Sequence, residues 1–389
     1  MNASVDAAIT LPFDTPPELL HAVEELLTIE VAKRGGRKSR GPRTVRISHL
    51  RRESGGWRVP RGMVAPLRMA ADELGVPLTF TDLRAGAPLA HSLGAPSLRD
   101  YQALAVDKLR ARTQGVVVLP AGGGKTRLAL GAIAQLATPT IILVGAVDLA
   151  EQWRAQVREL LGVEAGLVGD GKADFGREVT VALVQALWRR DPEELRRELG
   201  RYGLCVVDEA HHVAARAFRD IVDLCPAKYR LGLTATPTRE DGLTPLLGFY
   251  LGETLLDVRH EDLIARGWLT PPQIRRVTTT FTYAYETADD YAPMMEALVH
   301  DEERLALIVG TVVNDTASTP GLSLVLSGRV EHCAKLADAL GAAGLRVGVL
   351  TGRLSREARA ETLAAALAGA LDVLVATTVA DEGLDLPLL

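Results

Sequence analysis

The chain has 389 residues, 47% of them hydrophobic and 4% aromatic, and its formal net charge is −5. This length allows two or three domains that each bury a core, and the composition excludes a disordered or fibrous protein. Its cysteines, Cys205, Cys225 and Cys333, are widely separated and include no Cys-x-x-Cys pair, which argues against a disulfide framework and a zinc site. We therefore expect a reducing cytoplasm, and no signal peptide is predicted.

Residues 1–88 are predicted to form a small α+β domain, followed by a linker over 89–97. The predicted elements are a helix over 16–33, a strand over 44–50 with a hairpin partner at 57–59, a helix over 63–74 and a strand over 76–80. Further on, twenty uncharged residues, 128–147, are long enough for a membrane span. Because a Thr-Pro-Thr turn interrupts them, we predict a helix, a turn and a buried strand, and no membrane partner.

Basic residues are concentrated in the amino-terminal domain. Between Lys33 and Arg68, twelve basic residues face one acid, so this segment carries +11 and the rest of the chain must carry −16. Such a local positive field is typical of proteins that bind a nucleic-acid backbone, and a solvated basic linker is the alternative. The DNA contacts expected from this segment are Arg37, Lys38, Arg40 and Arg61.

Residues 98–256 alternate strands with helices, which predicts a parallel α/β lobe. The predicted strands are 115–119, 140–144, 179–183, 204–207 and 229–233, and the predicted helices are 126–136, 149–161, 192–199 and 214–224. In such a sheet the functional loops follow the carboxyl ends of the strands. Three sequences that suggest chemistry begin at such ends.

The first of these sequences, Pro-Ala-Gly-Gly-Gly-Lys-Thr, ends in Thr126 and has the character of a phosphate-binding loop. Its glycines let backbone N–H groups point at a polyphosphate, while Lys125 can reach the β- and γ-phosphates and Thr126 can bind Mg²⁺. A glycine-rich turn that binds nothing is the alternative. The predicted nucleotide-binding residues here are Gly122, Gly123, Gly124, Lys125 and Thr126.

The second sequence is Asp-Glu-Ala-His, directly after the strand 204–207, and the third is Thr-Ala-Thr-Pro after 229–233. Asp208 at a strand end can hold the Mg²⁺ of a nucleotide, and Glu209 can deprotonate the attacking water. A solvated strand end or a helix cap is the alternative for an isolated Asp-Glu pair. The ordered set of three sequences favours a nucleotide hydrolase.

This set resembles the superfamily 2 helicases, and more narrowly the group of XPB-type and phage UvsW-type DNA translocases. The likeness runs from Leu98 to Pro387 and implies two RecA-like lobes with parallel sheets, the second lobe incomplete, preceded by the small basic α+β domain. It also implies ATP and Mg²⁺ as ligands and DNA as the partner, whether duplex, branched or single-stranded.

The resemblance also implies roles for individual residues of the first lobe. Arg99 and Gln102 lie in a stretch similar to the adenine-recognising motif, with Gln102 as the base contact. His211 completes a sequence similar to the DEAH box and would act with Lys125, Asp208 and Glu209 in catalysis. The catalytic lysine and both carboxylates are the residues already derived above. Arg239, in an Arg-Glu-Asp element, would contact DNA, with a charged surface loop as the alternative.

Residues 257–300 are predicted to join the lobes, and residues 301–389 to form the partial second lobe. Its predicted helices are 302–313, 331–340 and 356–367, and its predicted strands are 322–326, 347–350 and 372–376. The sequence over 327–332 resembles motif IV, in which Arg329 would contact DNA. The sequence over 376–387 resembles motif V, in which Thr377 would touch a phosphate while Gly383 and Asp385 would face the nucleotide.

Two departures from the family pattern affect the expected activity. No arginine follows Arg359, whereas the family's motif VI supplies arginines to the γ-phosphate, and an arginine finger contributes roughly 10³–10⁵ in rate. We therefore expect a truncated chain that binds ATP better than it hydrolyses it. In addition, Gly145-Ala146 replaces the usual Pro-Thr of motif Ia, and residues 182–187 lack the usual Thr and Ser, so hydroxyls that grip DNA are missing.

Three functions remain open at this point. The first is an ATP-dependent DNA helicase or translocase acting on duplex or branched DNA. The second is the motor subunit of a restriction or phage-defence complex with a nuclease partner, and a repair partner is a further option. The third is a truncated module that binds DNA and ATP without catalysis.

Overall fold

The computed structural model describes residues 1–33, 43–238, 241–319 and 321–377. The chain divides into two compact units, Met1–Pro271 and Pro272–Leu389. The predicted amino-terminal domain and first lobe thus belong to one unit. The predicted interlobe segment, 257–300, is divided between the two units.

Residues 1–88, called the amino-terminal module below, form an α+β structure. Its elements are β1 (Asn2–Val5), β2 (Ala8–Leu11), α1 (Pro17–Leu26), β3 (Thr28–Lys33), β4 (Arg43–Ser48), β5 (Arg51–Glu53), β6 (Gly56–Pro60), α2 (Val64–Glu73) and β7 (Thr79–Asp82). Five strands form one sheet in the order β5-β6-β2-β1-β7, and β3 and β4 form a separate antiparallel pair. Both helices bury apolar side chains, Leu19 from α1 and Leu67 from α2.

Two expectations for the amino-terminal module need correction. The helix predicted over 16–33 ends at Leu26, because Thr28–Lys33 pairs with β4 as a strand. Thr28, Ile29 and Val31 are β-branched residues, which suit a paired strand better than a helix. The hairpin partner of β6 is β5 and not the strand at 44–50. The sequence also gave no sign of β1 and β2.

The rest of the first unit is the predicted α/β lobe. Its elements are α3 (Asp100–Arg112), β8 (Gln114–Val118), α4 (Lys125–Leu136), β9 (Thr140–Val144), α5 (Val147–Leu161), β10 (Gly166–Gly169), β11 (Lys172–Ala173), β12 (Val179–Leu183), α6 (Val184–Trp188), α7 (Pro192–Leu199), β13 (Leu204–Val207), α8 (Arg216–Leu224), β14 (Tyr229–Thr234), α9 (Pro245–Leu251), β15 (Thr254–Asp257) and α10 (His260–Ala265). The strand order is β11-β10-β12-β9-β13-β14-β8-β15, and the neighbouring strands are parallel except for β10 and β11. All five predicted strands are present.

The sheet of this lobe is buried on both faces, as the continuous apolar runs of its strands require. Every residue of β9, β12 and β13 is buried. The stretch 128–147 contains most of α4, a turn and β9, as predicted. Within the described parts of the chain, no helix combines the length and apolar character needed to cross a membrane.

The amino-terminal module and the lobe share a hydrophobic core, in which Ile9 and Leu19 belong to the same cluster as Val207 and Tyr250. Polar contacts reinforce this junction. The guanidinium group of Arg230, which is fully buried, donates hydrogen bonds to the carbonyl oxygens of Ala7 at 2.6 Å and Tyr250 at 2.8 Å. The module is therefore packed against the lobe as part of one body.

The second unit contains a smaller parallel sheet. Its elements are α11 (Tyr291–Val299), α12 (Glu302–Ser318), β16 (Ser323–Leu326), α13 (Val330–Ala342), β17 (Val347–Leu350), α14 (Arg356–Leu367) and β18 (Val373–Ala376). The strand order is β16-β18-β17, with β18 in the centre and both pairings parallel. The side chains of β18 enter two core clusters: Leu374 packs with Leu350 and Ala366, while Val373 packs with Leu336. This arrangement confirms the predicted α/β class.

Candidate active site

The phosphate-binding loop connects β8 to α4 and has a backbone that needs glycine. Gly122 and Gly124 have φ angles of 72° and 77°, in the left-handed region that glycine adopts at little cost. A Cβ atom on Gly124 would lie 2.4 Å from the side-chain nitrogen of Gln102. No side chain caps α4, whose first residue is Lys125. The first-turn N–H groups are thus open to a phosphate, while Nζ of Lys125 donates to the carbonyl oxygen of Leu119 at 3.4 Å, and the binding of a polyphosphate by both stays a prediction.

Asp208 follows the central strand β13 and is 7% exposed. Its Oδ1 accepts a hydrogen bond from the backbone N–H of Glu209 at 3.0 Å, and its Oδ2 accepts one from the indole Nε1 of Trp153 at 2.7 Å. Burial raises the pKa of Asp208, although the Trp153 N–H, the Glu209 N–H and the charge of Lys125 each act to lower it. The carboxylate is therefore held from two sides close to the phosphate-binding loop.

Glu209 and His211 connect the ends of two neighbouring strands. Glu209 has a φ of 45°, an uncommon conformation for a residue other than glycine. The Nδ1 atom of His211 lies 3.5 Å from the Glu209 carboxylate and 3.2 Å from the Thr234 hydroxyl. Thr234 is the last residue of β14, next to β13, and its hydroxyl also accepts a hydrogen bond from the Thr236 N–H at 3.1 Å. His211 thus links the Asp-Glu-Ala-His and Thr-Ala-Thr-Pro sequences.

Gln102 is hydrogen-bonded to the backbone of the phosphate-binding loop. It is fully buried, and its Nε2 donates to the carbonyl oxygens of Gly123 at 3.3 Å and Gly124 at 3.2 Å. Its Oε1 accepts from the backbone N–H of Arg99 at 2.8 Å, and the Tyr101 hydroxyl also donates to Gly123 at 2.8 Å. The side chain predicted to contact adenine is therefore engaged with the loop backbone, and its contact with the base stays a prediction.

Arg99 is half-buried beside this network. Its guanidinium group lies 4.2 Å from the ring centre of Trp268 and donates to the Tyr101 hydroxyl at 3.0 Å. Trp268 is 45% exposed, and the neighbouring Leu269 lies 2.8 Å from where a Cβ on Gly122 would be. An aromatic ring and a guanidinium plane thus lie next to the nucleotide-binding residues, a feature that the sequence motifs did not reveal.

Arg61 is not available for the DNA contact that we predicted from the basic segment. Its side chain is fully buried, and its guanidinium group donates to the side-chain oxygen of Gln114 at 2.8 Å and the carbonyl oxygen of Ala227 at 2.6 Å. Burial and the neighbouring Arg230 and Arg84 lower the pKa of Arg61. Arg61 therefore joins the amino-terminal module to the lobe.

Arg329, in the second unit, is exposed and precedes α13, consistent with the predicted DNA contact. Its backbone N–H donates to the Ser327 hydroxyl at 3.2 Å, and that hydroxyl lies 2.9 Å from Nδ1 of His332. The other ring nitrogen of His332, Nε2, lies 3.5 Å from the guanidinium group of Arg304. Burial and the charges of Arg304 and Lys335 accordingly lower the pKa of His332.

The other predicted site residues lie at the end of a described range or outside the described ranges. Thr377 follows β18 and is only 6% exposed, so its contact with a phosphate stays a prediction. Six further predicted residues lie outside the described part of the chain: Arg37, Lys38, Arg40, Arg239, Gly383 and Asp385. Trp153 is the contact that sequence reasoning missed. The only sign of this contact in the sequence was that Trp153 follows Leu149 by four residues, which places it on the buried side of α5.

Known protein families match both units of the chain. A family model described as "Type III restriction enzyme, res subunit" matches residues 95–239, and one described as "Helicase conserved C-terminal domain" matches residues 304–389.

Curated relatives are named as DNA helicases and translocases. The "DNA 3'-5' helicase XPB" of Mycobacterium tuberculosis is 32% identical over 303 residues, which cover 75% of this chain and 53% of that protein. The "DNA 3'-5' translocase XPB2" of Sulfurisphaera tokodaii is 27% identical over 326 residues, which cover 75% of this chain and 72% of that protein. The chain thus spans about half the length of the mycobacterial relative.

Solved structures agree at the level of the fold. The T4 UvsW crystal structure matches with a TM-score of 0.50 and 16% identity, covering 100% of this chain and 83% of that chain. The Mycobacterium smegmatis helicase Lhr, solved with single-stranded DNA and AMP-PNP, matches with a TM-score of 0.53 and 18% identity, covering 75% of this chain and 41% of that chain. The motif order, the family models and the curated relatives show that the chain belongs to the superfamily 2 helicases, in the group of XPB-type proteins.

Proposed function

We propose that this protein is an ATP-dependent DNA helicase or translocase that couples ATP hydrolysis to movement along duplex or branched DNA. The observation that supports this most strongly is the arrangement at the carboxyl edge of the first sheet. The adjacent strands β13, β14 and β8 end in Asp208-Glu209, in Thr234 and in the phosphate-binding loop, respectively. The two carboxylates expected to act in hydrolysis thus lie beside the phosphate-binding loop. They also lie beside the Thr234 hydroxyl, whose contacts can change with the bound nucleotide.

The residues of this edge can be given separate roles. The loop amides and Lys125 bind the phosphates of ATP, and Glu209 positions and deprotonates the attacking water. Thr126 and Asp208 are the residues that would hold Mg²⁺, which when bound neutralises charge on the phosphates. The buried, twice hydrogen-bonded carboxylate of Asp208 fits this donor set. Because His211 contacts both the Glu209 carboxylate and the Thr234 hydroxyl, a movement of Glu209 is transmitted to Thr234 through His211.

DNA as the substrate is supported by the names of the relatives and by the distribution of charge. The curated relatives carry names as DNA helicases or translocases. The segment from Lys33 to Arg68 carries +11, and the exposed Arg329 precedes a helix whose first-turn amides have no side-chain cap. One relative, from Antonospora locustae, is named as a subunit of general transcription and DNA repair factor IIH. A repair partner is therefore part of the proposal, as is the cytoplasmic location expected from the sequence.

The first prediction concerns ATP binding and hydrolysis. Lys125→Ala should abolish ATP binding, because it removes the cation that reaches the terminal phosphates. Glu209→Gln should retain ATP binding but slow DNA-stimulated hydrolysis by about 10²–10⁴, the usual contribution of a general base. Nucleotide binding and phosphate release, each with and without duplex DNA, would measure both effects.

The matched control is Lys172→Ala, which removes an exposed lysine from the edge strand β11. It should leave both ATP binding and hydrolysis unchanged. Phosphate release that is as fast in Glu209→Gln as in the unmodified protein would contradict the proposed mechanism. Equal rates of ATP hydrolysis with and without DNA would agree with the proposed ATP site but would contradict DNA as the substrate.

A second candidate is the motor subunit of a restriction or phage-defence complex. It is favoured by the description of the family model that matches residues 95–239. Co-purification with a nuclease, and nuclease activity that depends on Lys125, would support this function over a motor that acts alone.

A further inference from the structure

A cavity of about 250 Å³ lies between the β5–β6 hairpin of the amino-terminal module and the helices α6, α7 and α8 of the lobe. None of the residues assigned above to ATP or DNA lines it. The lining residues that matter here are Arg51, Arg58, Trp188, Arg190, Arg196 and Asp223. We call this space the arginine cavity. Four guanidinium groups around one small volume require an explanation, because like charges repel.

The carboxylates around the arginine cavity do not neutralise all of these arginines. Glu53 and Asp223 both pair with Arg58, at 3.6 Å and 3.3 Å. The third carboxylate, Asp220, pairs with Arg216 at 3.4 Å. Asp220 also accepts a hydrogen bond from the Trp188 indole at 3.2 Å. Each of these acids thus already pairs with an arginine, and Oδ1 of Asp223 is buried without a hydrogen-bond partner among the described residues.

The three other arginines are left without a carboxylate. No carboxylate of a described residue forms an ion pair with Arg51, Arg190 or Arg196, although the charge of Arg51 acts on Asp223 from further away. Arg190 instead lies 5.0 Å from the ring centre of Phe175, and the Nε atom of Arg196 is buried without a hydrogen-bond partner among the residues described. The cavity therefore has an excess of positive charge and unused N–H donors. Guanidinium groups of this kind match phosphate oxygens, to which they can donate two parallel hydrogen bonds.

The position of the arginine cavity suggests which phosphate it receives. Helix α6 starts at Val184, inside the stretch 182–187 where the family pattern has DNA-gripping hydroxyls that this chain lacks. Trp188 ends the same helix, about 6 Å further along at 1.5 Å per residue, and is 46% exposed. The cavity thus begins one short helix away from the expected DNA path. An exposed indole there offers a surface on which a base or sugar can stack.

We propose that the arginine cavity binds a phosphodiester group of the DNA backbone through Arg190 and Arg196, with Arg51 as the outer cation. It replaces contacts that the hydroxyls missing from motif Ia and from residues 182–187 would otherwise make. This inference rests on the proposed DNA-binding function. A free phosphate or nucleotide has the same chemistry, so the experiment must separate it from DNA.

The test measures the affinity for a labelled DNA duplex as a function of salt in Arg190→Gln, Arg196→Gln and Arg51→Gln. Removing one phosphate contact should reduce the slope of log affinity against log salt by about one. At moderate salt, Arg190→Gln should bind DNA roughly five- to tenfold more weakly. Arg190→Lys should keep the slope but recover only part of the affinity, because a lysine cannot donate two parallel hydrogen bonds.

Arg110→Gln is the control, because Arg110 lies on α3, outside the cavity lining, and is 51% exposed. ATP binding should stay unchanged in all variants, which excludes unfolding as the cause. If the unmodified protein binds DNA and the slopes of all three cavity variants equal that of the control, this inference is wrong while the proposed function stands. If the unmodified protein does not bind DNA, the proposed function itself fails.

The source of the phosphate is tested separately by competition with pyrophosphate and with ATP. Unlabelled DNA should compete with the labelled duplex, and pyrophosphate should not compete at concentrations with the same ionic strength. Weaker pyrophosphate binding in Arg190→Gln, together with unchanged DNA binding, would identify a site for a free anion and overturn the proposal.

Discussion

The indole N–H of Trp153 and the carboxylate of Asp208 meet where water cannot replace either partner. Trp153 is 1% exposed and Asp208 is 7% exposed, and the hydrogen bond between them measures 2.7 Å. A buried polar group that loses its partner costs about 1–3 kcal/mol. Trp153 also lies in α5, at the end of the stretch 149–153 that resembles motif Ia. The bond therefore connects a predicted DNA-contacting region directly to a predicted Mg²⁺ ligand.

Trp153→Phe removes this N–H and keeps an aromatic ring at the same position. We expect the free energy of unfolding to fall by about 1–3 kcal/mol, because Oδ2 of Asp208 stays buried without its donor. We also expect ATP to bind less tightly in the presence of Mg²⁺, whereas binding without the ion should change little. Thermal unfolding and titration with a fluorescent ATP analogue, with and without Mg²⁺, measure both effects.

The control for this variant is Trp57→Phe, since Trp57 belongs to β6 of the amino-terminal module. It should leave the Mg²⁺ dependence of ATP binding unchanged. The same Mg²⁺ dependence in Trp153→Phe as in the control would show that the indole does not position Asp208.

The roles of some individual residues could be predicted from the sequence, and those of others could not. Lys125, Asp208 and Glu209 could be assigned because their roles depend on neighbours in sequence and on one strand end each. Trp153 could not, because its partner is known only once α5 and β13 are placed in space. Arg61 was assigned wrongly, since a run of basic residues does not distinguish a side chain on the surface from one that crosses a buried junction.

Among the secondary-structure elements, the central strands were the most predictable. Strands β9, β12 and β13 have the predicted bounds, because short apolar runs between turn residues leave little choice. The missed strands β10 and β11 are only four and two residues long, and glycines stand at both ends of β10, so neither forms a recognisable apolar run. Strand β3 was hidden because Leu27 and Val31 also fit the spacing of the preceding helix.

His49 lies between β4 and β5 and joins these strands of the amino-terminal module to α9 of the lobe. Its Nδ1 lies 3.1 Å from the Tyr250 hydroxyl, and the side chain is 6% exposed. Burial, assisted by the charges of Arg219 and Arg51, lowers the pKa of His49 from 6.5 to about 4. The folded protein therefore keeps this ring neutral under conditions in which the unfolded chain protonates it.

This shift predicts a loss of stability in mild acid. As the pH falls below 6.5 the unfolded chain binds a proton first, so the free energy of unfolding should decrease until the pH reaches the folded pKa of about 4. The decrease from pH 7 to pH 5 should be about 2 kcal/mol, at about 1.4 kcal/mol per pH unit. Urea unfolding at the two pH values measures it.

His49→Gln provides the comparison, because glutamine can still hydrogen-bond Tyr250 but does not titrate. Its stability should depend less on pH by that same amount. Equal pH dependence in the two proteins would mean that His49 is not the group responsible.

At the scale of the whole molecule, the amino-terminal module and the ATP-binding lobe are one body. Arg61, Arg230 and His49 all contact residues more than fifty positions away, and such pairs leave no trace in local sequence patterns. The sequence therefore predicted the contents of both parts but not their common core. The arginine cavity is formed where these two parts meet. The basic module and the ATP-binding lobe therefore both contribute side chains to it.

The central claim, that ATP use drives movement along DNA, is tested most directly by displacement of a third strand from a DNA triplex. The protein should displace the third strand only with hydrolysable ATP, and Lys125→Ala and Glu209→Gln should abolish displacement while Lys172→Ala retains it. Displacement that continues without ATP, or that survives both active-site substitutions, would contradict the account.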